Sequence, residues 1–304
     1  MADEIELEPE SADDVAVQDE PTQPTSQPRQ LSLTWPEEVR GVPNAALRGA
    51  LFSISQERDV YRKRQRVATV EGYEIRVKGE RFNQKDLDLW EMLLHLGRQQ
   101  PGSQVVFAAS ELLKSLDRGL GGTDYEELKE DIARLMSTYV EITCANLEDT
   151  FAGHLVANMV RQESTQRYAI FFDEKIRHLF GAGYSHIDWT QRRKLKKNAL
   201  AQWLHGFYST HAKPMPYKVA TLKVLCGSKA ERLTDFRKAL RVALDKLKDV
   251  GAIIGWEIDP ETDLVKVKRK ASASQMRHLA RKQISQNDKE FSANGELPFD
   301  QDGD

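Results

Sequence analysis

The chain reads as an α+β protein, with two tandem folded domains between acidic tails. Three observations carry this. A helix, a short helix, a long amphipathic helix and a pair of short strands follow one another twice along the sequence. The two blocks are apolar at helical or alternating spacing, and both ends of the chain are acidic and poor in large apolar groups. Helix, short helix, long helix and two-stranded wing is the plan of a winged helix-turn-helix. Finding that order twice is more specific than finding it once.

Residues 1–29 hold nine acidic and one basic side chain with four prolines. Such a segment buries too little apolar surface to offset its ordering entropy and is expected to be disordered. From 30 to 60 runs a linker that opens on a short apolar motif, QLSLTW. Leu31, Leu33 and Trp35 could be a first strand, a chance patch, or a peptide that another protein grips. The first winged-helix domain is placed at 61–184. Tyr73, Ile75 and Val77 alternate with Glu74 and Arg76 as in a strand. Leu87, Trp90 and Leu94 then recur at helical spacing until Gly97, Pro101 and Gly102 stop the helix. QVVFA reads as a strand and SELLKSLDRG as a helix capped by Ser110. GGTDYEELKEDIARLMSTY carries Tyr125, Leu128, Ile132, Leu135 and Tyr139 in one stripe. VEITC, GHLVANMVR and RYAIFFD suggest a small antiparallel ribbon.

The second domain is placed at 185–270. It comprises a long helix QRRKLKKNALAQWLHGFYSTH, a short helix YKVATLKVLCG, a helix from Lys229 to Val250, and a hairpin AIIGWEI–DPETD–LVKVKRK. A basic then acidic tail fills 271–304.

The net charge of −3 hides a strong polarity. The first 29 residues carry −8 and residues 284–304 carry −5, which leaves +10 on the body between them. From Ser185 to Lys282 there are 22 Lys and Arg against 9 Asp and Glu. A basic body with acidic tails is the footprint of a phosphate binder. If about six of these cations touch phosphates, log affinity falls with log salt at a slope of roughly −5.

In the Lys229–Val250 helix, Leu233, Phe236, Leu240, Leu244 and Leu247 occupy one arc, flanked by Thr234, Arg237, Lys238, Arg241 and Lys248. Arginine can make two parallel hydrogen bonds to a guanine edge, whereas lysine supplies charge to phosphate. Alone, this would be an ordinary amphipathic helix with solvated charges. Its place between a short helix and a basic wing turns the reading toward DNA. The candidate contacts are Lys229, Arg232, Thr234, Arg237, Lys238 and Arg241 on or ahead of the helix, Lys266, Lys268 and Arg269 in the wing, and Arg192, Arg193, Lys196 and Lys197 from the run RRKLKK. The matching helix of the first block is acidic at Glu126, Glu127, Glu130 and Asp131. That block is expected to add fewer base contacts, through the loop at Arg118, and to serve as a protein surface or simply as a scaffold.

Catalysis finds little support. The seven histidines are scattered, and no phosphate-cradling GxxxxGK[ST], HExxH or GxSxG pattern occurs. No motif asks for a metal or cofactor, so the chain is expected not to be an enzyme. Two cysteines without a CxxC, no long apolar run and no basic-then-apolar start imply a reducing, cytoplasmic setting away from membranes.

The residues QLSL at 30–33, WPEEVRGVPN at 35–44, RGALF at 48–52, DLDLWEMLL, IDWTQRRKL at 187–195, LKVLCGS and RKALRVALDKLKDVGAI resemble the TrfA-like replication initiators of broad-host-range plasmids, within the two-winged-helix plasmid Rep proteins. The resemblance runs from about Gln30 to Lys270. It implies a protein that binds direct repeats, iterons, in the double-stranded DNA of a plasmid origin and helps to open it. The sliding clamp, the replicative helicase and a host initiator would be further partners, and a monomer–dimer equilibrium would limit copy number. Two reading helices in one monomer would cover roughly 20 bp.

The resemblance also gives QLSLTW a role, since a QLSLF-type pentapeptide docks on the polymerase clamp in this family. Gln30, Leu31 and Leu33 match, whereas Thr34 replaces the aromatic residue and Trp35 follows one position later. Either Trp35 fills the pocket with a shifted backbone, or WPEEV packs on the first domain. Two other classes stay open: a winged-helix repressor that binds operator DNA, and a tyrosine recombinase suggested by HLAR at 278–281. No tyrosine follows that run to act as nucleophile.

Overall fold

In the first lobe, the apolar side chains of alternating strands and of five helices converge on a single core. The computed structural model of the chain describes residues 35–100, 104–147, 150–272 and 275–276. The expected tails, Gln30, Leu31, Leu33 and the HLAR run lie outside the described residues.

The first lobe begins with β1 (Val39–Pro43), α1 (Asn44–Leu47) and β2 (Phe52–Ser53), before β3 (Val60–Val67), β4 (Tyr73–Glu80) and β5 (Phe82–Asn83). The helix α2 (Gln84–Gly97) follows, then β6 (Gln104–Ala108), α3 (Ala109–Ser115) and α4 (Gly122–Ser137). The strands β7 (Tyr139–Cys144), β8 (Thr150–His154), β9 (Asn158–Gln162) and β10 (Arg167–Phe171) and the short α5 (Ile176–Gly181) complete this part. The start of α2 is set by Asn83, whose Oδ1 accepts from the Lys85 amide at 2.9 Å, while Asp86 Oδ2 accepts from the Asn83 amide at 2.8 Å. Helices α2, α3 and α4 with the β6–β10–β9 sheet make one winged helix-turn-helix. A second sheet, in the order β3–β4–β7–β8, closes the other side of the core.

The strand β11 (Tyr184–Asp188) still belongs to the first lobe, and the second lobe follows through α6 (Trp189–Lys194), α7 (Ala199–Ser209), β12 (Tyr217–Lys218), α8 (Val219–Leu225), α9 (Leu233–Asp249), β13 (Gly255–Ile258) and β14 (Leu264–Lys268). Its core gathers Leu204, Phe207, Val219, Leu222, Phe236, Leu240 and Leu244. Helices α7, α8 and α9 with the β12–β14–β13 sheet form the second winged helix-turn-helix. The chain is therefore α+β with two tandem winged-helix units.

Several expectations need correction. The long helix of the second block is two helices, because Asn198 caps α7 by accepting from the Ala201 amide at 2.9 Å. Ser110 lies inside α3, and no side chain caps that helix. The expected ribbon is split: β7 and β8 belong to one sheet and β9 and β10 to another, with buried Leu155 and Val156 at the break.

The linker placed at 30–60 is also corrected. From Trp35 to Phe52 the chain packs into the first core, and β1 pairs with β11 from Val39↔Asp188 to Pro43↔Tyr184. A boundary at 184/185 would cut that ladder. The division between cores falls after Trp189 instead.

Trp35 itself is 5% exposed. Its ring stacks on Phe180 with centroids 6.0 Å apart, and its Nε1 donates to His95 Nδ1 at 3.0 Å. Gly41 is required beneath it, since a Cβ there would stand 2.6 Å from the indole. Trp35 therefore leaves the clamp-binding set, and WPEEV packs on the first domain.

Candidate nucleic-acid interface

Helix α9 buries Phe236, Leu240, Ala243, Leu244 and Leu247 against α7 and α8 and turns the opposite face outward. At 100° per residue that outward face comprises Thr234, Lys238, Arg241, Val242 and Asp245, all exposed. The turn before it needs Gly227. With φ +66° it ends α8, its amide donating to the Val224 carbonyl at 3.0 Å, and a Cβ would meet Ser53 at 2.9 Å.

The wing is a tight antiparallel ladder from Gly255↔Lys268 to Ile258↔Val265, with Lys266 and Lys268 exposed. Asp259 organises its turn by accepting from the amides of Glu261 at 3.0 Å and Thr262 at 3.1 Å. The Thr262 amide, together with Lys266 at 3.2 Å and the Glu261 amide, holds the Asp259 carboxyl down at about 2.

The predicted contacts divide sharply. Thr234, Lys238, Arg241, Lys266 and Lys268 come together on α9 and the adjoining wing, with Arg232 at the helix start and Lys197 exposed on the turn before α7. The rest have other employment. Arg192 is 1% exposed. Its Nε lies 2.6 Å from Asp88 Oδ1 and 2.5 Å from Glu91 Oε1, and its Nη1 donates to the Gln202 carbonyl at 3.1 Å. That guanidinium joins the two lobes and is withdrawn as a DNA contact. Burial pushes the Glu91 carboxyl up to about 8, with Arg192 opposing.

Arg193 pairs with Asp117, and Lys196 Nζ donates to the Leu116 carbonyl at 2.7 Å. Both are thereby committed to the α3–α4 turn. Arg237 Nε and Nη2 form a fork on Asp263 at 3.0 and 2.9 Å, which ties the wing to α9 and occupies the donors expected to read a base. Lys229 Nζ reaches Asp59 at 2.8 Å and Glu57 at 3.2 Å. Arg269 donates to the His211 carbonyl at 2.8 Å, and burial lowers its pKa.

In the first lobe α4 does turn Glu126, Glu127 and Glu130 outward. Arg118 does not reach out as a contact, because it donates to Asp131 Oδ2 at 2.7 Å. Sequence reasoning passed over β3, where Arg62, Lys63, Arg64 and Arg66 are all exposed. The run YRKRQR was visible, but it lacks the alternation by which a strand is recognised.

Fold and basic face together define a tandem winged-helix protein whose second unit presents cations on its third helix and wing. Over residues 16–269 the sequence matches the TrfA protein family, and the chain belongs to that family. An Escherichia coli protein named plasmid replication initiator protein TrfA is 28% identical over 254 residues, covering 79% of this chain and 65% of that protein. The chain thus spans just under two thirds of the length of this curated relative. Among solved structures, domains 2 and 3 of RctB share the fold with a TM-score of 0.50 at 12% identity, over 75% of this chain and 99% of that one. The Pi initiator protein in complex with iteron DNA aligns with a TM-score of 0.46 at 12% identity, over 62% of this chain and 94% of that one.

Proposed function

We propose that this chain is a plasmid replication initiator that binds repeated sites in the double-stranded DNA of an origin, with α9 of the second lobe as its reading helix. The observation that carries this is the outward face of α9. Lys238 and Arg241 have no carboxylate partner among the described residues, while Arg192, Arg193, Lys196, Lys229, Arg237 and Arg269 are bound within the protein. Membership of the TrfA family supports the reading, as does the name of the Escherichia coli relative. The mechanism is binding energy: phosphate contacts position the protein, and α9 side chains discriminate bases.

The test is a mobility shift with origin repeats and with random duplex. Arg241→Ala should weaken binding to the repeats by about 1–3 kcal/mol more than binding to random DNA. Equal losses on both would overturn the reading role. A winged-helix repressor is separated by supplying the chain in trans to an origin fragment with a selectable marker, because a repressor would bind that DNA and fail to replicate it.

Gln30, Leu31 and Leu33 remain our proposed docking segment for the host clamp, now without Trp35. Leu31→Ala combined with Leu33→Ala should abolish clamp pull-down and leave DNA binding intact. Recruitment of the replicative helicase and a host initiator, a monomer–dimer equilibrium and a cytoplasmic location belong to the same proposal.

A further inference from the structure

The sheet β3–β4–β7–β8 has one face in the core and one in solvent. Val67, Ile75, Val77, Val140 and Ile142 fill the inner face. On the outer face Arg66 stands beside Arg76, which stands beside Glu141, and Lys78 stands beside Tyr139, which stands beside His154. The ladder of β3 slips between Tyr61, opposite Gly79, and Gln65, opposite Val77. Three residues of β3, Arg62 to Arg64, thus face the single Lys78 of β4, and all three side chains are exposed. A shallow groove of about 730 Å³ runs over this region, with Tyr61, Tyr139 and His154 among its walls.

Two of the cations are neutralised locally: Arg64 by Glu141 at 2.7 Å and Arg76 by Glu74 at 2.7 Å. Arg62, Lys63, Arg66 and Lys78 have no carboxylate partner among the described residues. Charges on an edge strand commonly block sheet-to-sheet pairing. That explanation suits β3 but not Lys78, which belongs to the inner strand β4. Four unpaired cations on one face create an attraction for polyanions.

The position of β3 links this face to the second lobe. Lys229, just ahead of α9, holds Glu57 and Asp59, just ahead of β3. The Ile54 amide also donates to the Cys226 carbonyl at 3.0 Å. The starts of the reading helix and of the basic strand therefore adjoin.

We propose that the outer face of β3 and β4 binds the phosphate backbone of duplex DNA through Arg62, Lys63, Arg66 and Lys78, extending the surface offered by α9 onto the first lobe. This rests on the reading of α9 given above. A flat sheet offers no element to enter a groove, so it touches phosphate alone and carries no sequence information.

The test uses the full chain with Arg62, Lys63, Arg66 and Lys78 all replaced by Gln, titrated at several salt concentrations with origin-repeat and random duplexes. The four side chains are on the surface, and a matching thermal melt confirms that the fold is kept. The expected result is a salt slope shallower by about 0.9 for each phosphate no longer neutralised. Affinity for both duplexes should fall together, leaving their ratio unchanged. A variant with Arg62→Lys and Arg66→Lys, keeping Lys63→Gln and Lys78→Gln, should recover part of the slope. An unchanged slope and affinity would overturn the proposal, and so would a rise in affinity, which would mean that an acidic segment of this chain occupies the face. Failure of the α9 reading looks different: the unaltered chain would then bind both duplexes equally, with a salt slope still sensitive to the four substitutions.

Discussion

Helices α4 and α9 occupy the same place in two copies of one motif and carry opposite charge. Each buries an apolar stripe, Leu128, Ile132 and Leu135 in α4 and Phe236, Leu240, Leu244 and Leu247 in α9. Outside, α4 shows Glu126, Glu127 and Glu130 where α9 shows Thr234, Lys238 and Arg241. The basic side chain of α4 closest to its core, Arg134, is spent inside the lobe on Asp86 and Asp131, each at 2.8 Å. A shared fold thus dictates the buried stripe and leaves the outer face free to diverge. In the first lobe Arg62, Lys63 and Arg66 of β3 and Lys78 of β4 carry unpaired positive charge away from the third helix.

That contrast can be broken in four ways. The largest effect is expected at Arg192, the buried cation between the lobes. Arg192→Ala leaves Glu91 and Asp88 without their partner and should cost about 3–5 kcal/mol in chemical denaturation. A loss below about 1 kcal/mol would mean that the lobes are not tied through this residue. Next in size, Lys238→Glu with Arg241→Glu should weaken duplex binding by about 3 kcal/mol, roughly a hundredfold. The mirror variant on α4, with Glu126, Glu127 and Glu130 changed to Lys, should leave binding equal or stronger. Fluorescence anisotropy on one labelled duplex compares the two, and a loss with both variants would erase the distinction between the helices.

A third effect is pH-dependent. Burial holds His205 down at about 3 and His211 down at about 4, so both are neutral when folded and take up protons when unfolded. Their contribution is complete above about 6.5 and is lost as pH falls toward those values. Glu91 acts with the opposite sign. Burial raises its carboxyl against the pull of Arg192, so its support for the fold is complete below about 4.5 and weakens as pH rises. Denaturation at pH 5 and pH 7 should show His211→Gln losing less stability on acidification than the unaltered chain. Smallest of all, Arg237→Ala removes a solvent-screened pair with Asp263 and should leave the thermal melt nearly unchanged. Its effect on DNA should come through a loosened wing, with salt slope nearly unchanged.

Both third helices were legible because a 3.6-residue apolar period survives any choice of outer residues. The wing was legible for the same reason at period two. Three features were hidden. The partners of Arg192 lie about a hundred residues earlier on α2, so within RRKLKK it looks like any other surface cation. Trp35 gains its neighbours His95 and Phe180 only through folding, and from the sequence alone it resembles the end of a docking peptide. On β3 the run from Arg62 to Arg66 is polar on both faces, so no apolar alternation marks the strand.

The anchoring of Trp35 also sets a leash. One residue, Thr34, separates Leu33 from that buried ring, and an extended chain spans at most about 3.6 Å per residue. Any partner gripping Leu33 is therefore drawn to within roughly 7 Å of the Trp35 backbone. Such a partner would be kept beside the first lobe and not at the end of a long tether.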